Sequence, residues 1–367
     1  LTKKNFFCIL QTFAGSFEVA SGEVGKGFSF QMKQPTIKDI ARRLGLSPST
    51  VSRALSGHPD ISEATKEKVC AIARELEYHP NTLAKSLQQK QSQIIGVVVP
   101  QVKHYFFASV MAGITDVAYQ AGYTVMICQS NEDYQREVAN IDVLISHRVA
   151  GLLVSVSSST TQCEHFEKIK RRSIPLVFFD RVCPGMEASS VVVDDYEGAF
   201  KATEYLIQKG YKRIGTLAGP PFLSIAKARF EGFRDALRKH GRTLPSEWIV
   251  HGGMNEEDGA ISIEKLLSQS NPRPDALFCV NDPVALGAMM RLKEKGIRIP
   301  EDIAMMGFTD NPEASMIEPP LTTMRQPAYL IGKTAAELLL DELKNKKRGQ
   351  KPTRCVLKTE LIIRKSA

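Results

Sequence analysis

Nine short apolar runs alternate with stretches of helical periodicity once the chain has passed Ser92, and this alternation restricts the fold more than any other feature. The runs are 94–99, 124–128, 151–156, 175–180 and 191–193, then 213–218, 248–251, 275–280 and 303–307. A strand that is apolar along its whole length needs cover on both faces, which parallel sheets flanked by helices provide. Two successive βα series predict two similar lobes. A later run, 358–363, reads as a last strand, and the basic stretch 344–351 before it reads as a solvated loop. With 43% hydrophobic residues over 367 positions, the chain has apolar material for several cores.

Residues 36–88 have a different texture, that of four short helices separated by turns. Thr36 stands three positions before Asp39, a weak capping box, and Ile37, Ile40, Ala41 and Leu44 recur at helical spacing until Gly45 stops the helix. Ser47 is the next N-cap, with Pro48 at the first helical position. This second helix, 48–55, points Val51 and Leu55 inward and leaves Ser49, Thr50, Ser52 and Arg53 free. A third runs from Ser62 to about Glu77 with Val69, Ile72, Ala73 and Leu76 inside. His79-Pro80 ends it, and Asn81 caps a fourth containing Leu83, Ala84 and Leu87.

Three residues, Gly45-Leu46-Ser47, join the first two helices, which is helix-turn-helix spacing. A helix that enters a DNA major groove must be short, with small or polar side chains near its N-terminus. Residues 48–53 satisfy both demands. Arg53 can donate two hydrogen bonds to guanine O6 and N7, worth roughly 1–3 kcal/mol of discrimination, while Thr50 and Ser52 can reach phosphates beside the helix N-terminus. Charge agrees. The formal net charge is +8, and residues 32–93 hold ten Lys/Arg against six Asp/Glu, so half the excess lies in one-sixth of the chain. Pattern alone also admits a small helical bundle with an exposed arginine.

Three segments, Thr36-Ile-Lys-Asp-Ile-Ala-Arg42, Ser47-Pro-Ser-Thr-Val-Ser-Arg-Ala-Leu55 and Tyr78-His-Pro-Asn81, carry a resemblance to the lactose-repressor (LacI/GalR) family of transcriptional regulators. It continues to Thr359-Glu-Leu-Ile-Ile-Arg364 and so covers about residues 35–366. The resemblance implies an N-terminal all-α helix-turn-helix headpiece with a hinge helix. An α/β core like the type I periplasmic binding proteins would follow, two doubly wound lobes with a cleft between them. The implied boundaries are 35–80 for the headpiece, 81–92 for the hinge helix and linker, and 93–366 for the core. Within the core, lobe one takes about 94–193 plus 325–352, and lobe two about 194–322 plus 354–366.

The same resemblance implies a cytoplasmic homodimer on palindromic operator DNA, a repressor governed by a small-molecule effector that is by family default a carbohydrate. The family's operator-reading positions fall on Pro48, Ser49 and Arg53. The DNA-binding set also takes in Thr36, Ser47, Thr50, Ser52, Asn81 and Ala84. Leu87 matches the hinge leucine that wedges into the minor groove, a chemistry suited to an apolar side chain flanked by small ones such as Ala84 and Ser86.

Ligands of doubly wound sheets sit beyond the carboxyl ends of the strands. The candidates there are Tyr105 and Phe106, which can stack on a sugar or base ring or equally pack in a core or interface, and Asp180 and Arg181, for which an internal salt bridge is an equal alternative. Arg229 matches the family's effector-contacting arginine and can clamp hydroxyls or a carboxylate bidentately, with a surface ion pair as its alternative. Asn281 matches the position that bonds polar ligand groups, and Asp282 reads as a helix cap. One departure stands out. In Gly307-Phe-Thr-Asp310, Thr309 occupies the place of a family aspartate that holds ligand hydroxyls, and Asp310 substitutes only if the loop shifts.

The seven cysteines form no C-x-x-C pair and accompany no histidine cluster, which predicts neither a disulfide framework nor a zinc site and suits a reducing cytoplasm. No cofactor is expected. No apolar run nears the ~20 residues of a membrane helix. Lys3-Lys4 and the apolar stretch 5–10 faintly resemble a secretory signal, cut short by Gln11 and Thr12. Residues 1–31 are read as upstream sequence or a disordered extension, with translation starting at Met32. A periplasmic solute-binding protein would share the core but carry a full signal peptide and no headpiece. An enzyme would need a constellation that the sequence lacks. It has no Walker loop, no G-x-S-x-G elbow and no zinc-ligand spacing, and Gly219-Pro-Pro221 is not a phosphate loop.

Overall fold

A computed structural model describes residues 35–78, 92–345 and 351–367. They fall into two compact units divided after Asn81. The expected hinge helix, with Asn81, Ala84 and Leu87, lies outside the described residues, as do the extension 1–31 and most of the basic loop.

The first unit contains α1 (Ile37–Leu44), α2 (Pro48–Leu55) and α3 (Glu63–Glu75). Asp39 accepts hydrogen bonds from the amide and hydroxyl of Thr36, fixing the start of α1. Gly45 ends it in the left-handed region at φ 63°, where a side chain would be strained. Ser47 Oγ accepts the Thr50 amide at 3.0 Å, and Pro48 follows at the first helical position. The small core closes over Ile40, Ala41, Val51, Ala54, Val69 and Ala73. Leu55, Ile72 and Leu76 pack against it only partly buried, so Ala54 takes the inward place expected of Leu55.

The second unit is built on two six-stranded sheets. Sheet one has the order β11-β5-β4-β3-β1-β2, all parallel. Its strands are β1 (Ile94–Val99), β2 (Thr124–Gln129), β3 (Gly151–Val154), β4 (Leu176–Phe179), β5 (Ser189–Val193) and β11 (Arg354–Leu357). Sheet two has the order β12-β10-β9-β8-β6-β7. It comprises β6 (Ile214–Leu217), β7 (Ile249–Val250), β8 (Ala276–Cys279), β9 (Ala304–Thr309), β10 (Thr322–Arg325) and β12 (Glu360–Ile362). The sequence alternation becomes two-sided packing: along β1, Ile95, Val97 and Val99 join one core cluster and Val98 another.

Helices cover both faces of each sheet. They are α4 (Tyr105–Gln120), α5 (Tyr134–Ser146), α6 (Glu164–Arg171), α7 (Asp195–Gln208), α8 (Ser224–Lys239), α9 (Glu256–Gln269), α10 (Asp282–Glu294), α11 (Glu313–Met316) and α12 (Ala328–Lys344). Helices α4 and α12 cross at backbone contact. A methyl group at Gly332 would overlap the Val110 carbonyl, and one at Gly113 the Tyr329 carbonyl. Gly332→Ala is therefore expected to force the helices apart and cost about 1–3 kcal/mol, read as a lower thermal midpoint. An unchanged midpoint would show that the crossing can open without penalty.

The lobe boundaries differ from those expected at two strands, β10 and β11. β10 was divided between the lobes by the expected boundaries but pairs wholly with β9 in sheet two. β11 was assigned to lobe two but pairs in parallel with β5, from Arg354↔Ser190 to Leu357↔Val193, and so completes lobe one. Only β12, antiparallel to β10, returns to lobe two. These strands are short and polar at several positions, so no apolar run announces them. The chain thus passes between the lobes three times, after β5, after β10 and after β11.

The cysteine expectation also needs correction. Cys163 and Cys183, twenty positions apart, form a disulfide with Cα atoms 6.0 Å apart. Spacing along the sequence gives no hint of it, because the loop before α6 and the segment after β4 meet only through the sheet. Cys70, Cys128, Cys279 and Cys355 are free thiols.

Candidate functional site

The first surface of interest is α2. Ser47, Pro48, Ser49, Ser52 and Arg53 are exposed, and Thr50 is half-buried. Val51 and Ala54 anchor the opposite side of the same two turns. Ser47 Oγ lies 2.7 Å from Ser49 Oγ and 2.8 Å from Thr50 Oγ1, so three hydroxyls gather at the helix start. Thr36 is exposed at the start of α1. The candidate DNA-contacting residues of this unit therefore present a polar rim around the N-terminal end of a short helix, with Arg53 one turn further on.

The second is a cleft of about 320 Å3 at the carboxyl ends of the strands of both sheets. Gln101 follows β1, Asn131 and Glu132 follow β2, Ser158 follows β3, and Asp180 and Arg181 follow β4. From sheet two come Met254, Asn281, Thr309 and Asn311, with Gln326 just beyond β10. Four lining residues hold their backbones in the left-handed region: Asn131 (φ 55°), Glu132 (59°), Asp180 (59°) and Thr309 (145°). Such geometry costs of order 1 kcal/mol or more per residue and clusters where ligands are handled.

Arg229 emerges from α8 and is 2% exposed. Its Nε and Nη2 donate to Asp195 Oδ1 at 2.8 and 2.7 Å, and its Nη1 donates to the Val280 carbonyl at 2.7 Å. The guanidinium also lies over the Phe308 ring, 3.8 Å from its centroid. The ion pair foreseen as an alternative is present, but buried rather than superficial. Arg181 donates through Nη1 to both oxygens of Glu132, at 3.0 and 2.9 Å, and its Nε stands 3.7 Å from Asp180 Oδ2. Asn281 spends its side chain on the fold: Oδ1 accepts the Val284 amide and Nδ2 donates to the Met254 carbonyl. It, and not Asp282, is the cap of α10. Asp282 instead accepts from Thr323 Oγ1 at 2.6 Å and the Asn311 amide at 2.8 Å.

Two sequence candidates do not reach the cleft. Tyr105 is 51% exposed and outside the lining, whereas its neighbours Phe106 and Phe107 are buried and inside it. The first turn of α4 turns Tyr105 outward. Asp310 is also outside the lining, because Arg325 Nε and Arg364 Nη2 hold its carboxylate at 2.8 and 2.7 Å. It cannot stand in for the aspartate replaced by Thr309. Phe106, Asp180, Arg181, Arg229, Asn281 and Thr309 all line the cleft. Sequence reading missed Glu132 and Gln326, although the rule that residues just past each strand line the site would have found Glu132.

Burial pushes the carboxyls of Asp195 and Asp282 up to about 6. Both values lie above the ordinary 3.8, so the neutral acid is the form favoured by the fold. The resulting stability is full below about pH 3.8 and is lost as pH rises through about 6. The urea midpoint of the sheet-bearing unit is expected to fall between about pH 5 and about pH 7. A midpoint that rises across that window would refute the assignment.

A helical unit that offers a polar reading helix, followed on the same chain by a two-sheet unit with a strand-end cleft, is the plan of a ligand-responsive DNA-binding regulator. Comparison with known proteins specifies the family. Residues 92–365 match the family model described as periplasmic binding proteins and sugar binding domain of LacI family, and residues 36–81 match that of bacterial regulatory proteins, lacI family. The chain belongs to the LacI family.

It is 35% identical to the HTH-type transcriptional repressor PurR of Vibrio vulnificus (strain CMCP6) over 329 residues, 90% of this chain and 97% of that protein. The PurR of Vibrio atlanticus (strain LGP32) is 36% identical, with 85% and 92% covered. Among solved structures, the lac repressor dimer bound to operator and the anti-inducer ONPF has a TM-score of 0.79 at 28% identity, covering 91% of this chain and 99% of that one. The transcriptional regulator CelR–cellobiose complex has a TM-score of 0.69, also at 28% identity, covering 91% and 100%. No described helix is long and apolar enough to cross a membrane, and no described cluster of three or more His, Cys, Asp or Glu side chains is placed to hold a metal.

Proposed function

We propose that this chain acts in the cytoplasm as a homodimeric repressor, not an enzyme, whose affinity for a palindromic operator is set by a small molecule in the cleft. Pro48, Ser49 and Arg53 read base edges, while Thr36, Ser47, Thr50 and Ser52 position the unit on phosphates. Asn81, Ala84 and Leu87 belong to the hinge, with Leu87 wedged into the minor groove. Phe106, Asp180, Arg181, Arg229, Asn281 and Thr309 receive the effector. A carbohydrate fits the lining: Gln101 Oε1, Arg181 Nε, Asn311 Oδ1 and Gln326 Nε2 are buried without hydrogen-bond partners, a mixture of acceptors and donors that a polyhydroxylated ligand can match.

The observation that carries this reading is the cleft itself, which collects residues from the carboxyl ends of most strands of two lobes joined by three chain crossings. A ligand touching both lobes has different contacts in open and closed arrangements, and only such a difference can shift a conformational equilibrium. Operator repression is supported by the names of the PurR relatives and by the operator-bound lac repressor dimer. The test is selection of duplexes from a random library by the full chain, with affinity followed against salt. The expected product is a palindrome with a central pyrimidine–purine step, bound at least ~10³-fold above non-specific DNA. Weak, steeply salt-dependent binding without a consensus would overturn the reading.

A further inference from the structure

The cleft holds two guanidinium groups, and neither has charge to spare. Arg229 is committed to Asp195, and Arg181 to Glu132 with Asp180 beside it. Burial holds the imidazole of His104, the other basic side chain of the lining, below its ordinary 6.5, so it is neutral at neutral pH. Asp258, also in the lining, adds a carboxylate that accepts the Asn255 amide at 3.0 Å. Two cations thus face Glu132 and Asp258, with Asp195 directly behind Arg229 and Asp180 beside Arg181, its carboxyl pushed up by burial.

Glu132 is the acid of the lining that holds Arg181 while staying partly open to the cleft. Its side chain is 22% exposed against 5% for Arg181, and it leaves the turn after β2 from a left-handed backbone. Burial pushes its carboxyl up, but Arg181 and the Ser158 amide together hold it below the usual carboxylate range, so it is ionised. The loop it touches does not depend on it. Glu137 independently ties that loop by accepting from the Ser157 amide at 2.6 Å, Thr160 Oγ1 at 2.9 Å and His165 Nε2 at 2.8 Å.

We propose that Glu132 is a specificity-determining residue that excludes anionic effectors: by holding Arg181 it leaves a cleft for an uncharged polar ligand and closes it to phosphate esters and carboxylates. An anion entering the cleft would find each guanidinium already paired with a carboxylate, Arg229 with Asp195 and Arg181 with Glu132, and would add its charge to those of Glu132 and Asp258. Ile225, Met254 and Pro283 on the sheet-two side supply apolar surface, which favours a ligand with one hydrophobic face. The inference rests on the effector-sensing reading above and narrows the ligand class.

Inorganic phosphate is the probe, titrated calorimetrically at neutral pH into the full chain. Wild type is expected to show no saturable binding. Glu132→Gln keeps an oxygen acceptor for the Ser158 amide while freeing Arg181, and should bind phosphate at least about tenfold more tightly than wild type. Adding Arg181→Met should remove that gain. Glu132→Ala is made in parallel, so the gain is read in whichever variant keeps the wild-type thermal transition. Phosphate binding by wild type that Arg181→Met abolishes would overturn the proposal, as would a folded charge-removed variant that gains nothing. The readout does not involve DNA. Failure here would leave the repressor reading standing, and failure of duplex selection would leave this result intact.

Discussion

Arg229→Ala is expected to destabilise the two-lobed unit by about 3–5 kcal/mol, read as a lower urea midpoint at neutral pH. The guanidinium makes three short contacts, two to Asp195 and one to the Val280 carbonyl. Its removal leaves a buried carboxylate without a counter-charge and a buried carbonyl without a donor, and it uncovers the Phe308 ring. Because burial already holds Asp195 at about 6, losing Arg229 should drive its proton uptake upward and make the variant's stability fall more steeply with rising pH. Replacing both partners by apolar residues of similar volume should recover most of the loss. A single-variant loss below about 1 kcal/mol would mean that water reaches Asp195 and that the pair is not truly buried.

For the DNA-facing unit, Arg53→Ala is expected to weaken specific operator binding by roughly 10–100-fold while leaving non-specific affinity almost unchanged. The asymmetry follows from position. Arg53 is exposed in the last turn of α2, and its side chain enters none of the ion pairs formed among the described residues. Truncation therefore removes a base-edge donor without disturbing the core of Ile40, Val51 and Val69. Competition with selected and scrambled duplexes separates the two affinities. Equal loss on both would make Arg53 a phosphate contact and move base reading to Ser49 and its neighbours.

Much of this architecture was legible in the residues because each decisive feature was local. Gly45, Ser47 and Pro48 are punctuation whose meaning depends on the adjacent turn alone, and β1 is apolar along its length because it is covered on both faces. What escaped was non-local. β11 has an edge position and the mixed sequence Arg-Cys-Val-Leu, so nothing nearby says which sheet it joins. The Cys163–Cys183 pair depends on two loops brought together by β3 and β4. At the cleft, residue type identified Arg229, but burial decided its partners, and whether a strand-end acid faces ligand or protein depends on neighbours such as Arg325 and Arg364, which turn Asp310 away.

The placement of β11 and β12 bears on how a cell makes this protein. One closes an edge of the first sheet and the other an edge of the second, and Ser366 then bonds to Met305 and Thr322. On the ribosome, therefore, neither sheet can be completed until segment 354–367 has been released from the exit tunnel. At ordinary synthesis rates some 260 residues separate β1 from β11, a wait of roughly 15–50 s. The helical unit can settle well before that. For this interval a nascent chain carries a finished DNA reader attached to an unfinished sensor, and any chaperone that guards it would find its clients in the exposed edges of β5 and β10.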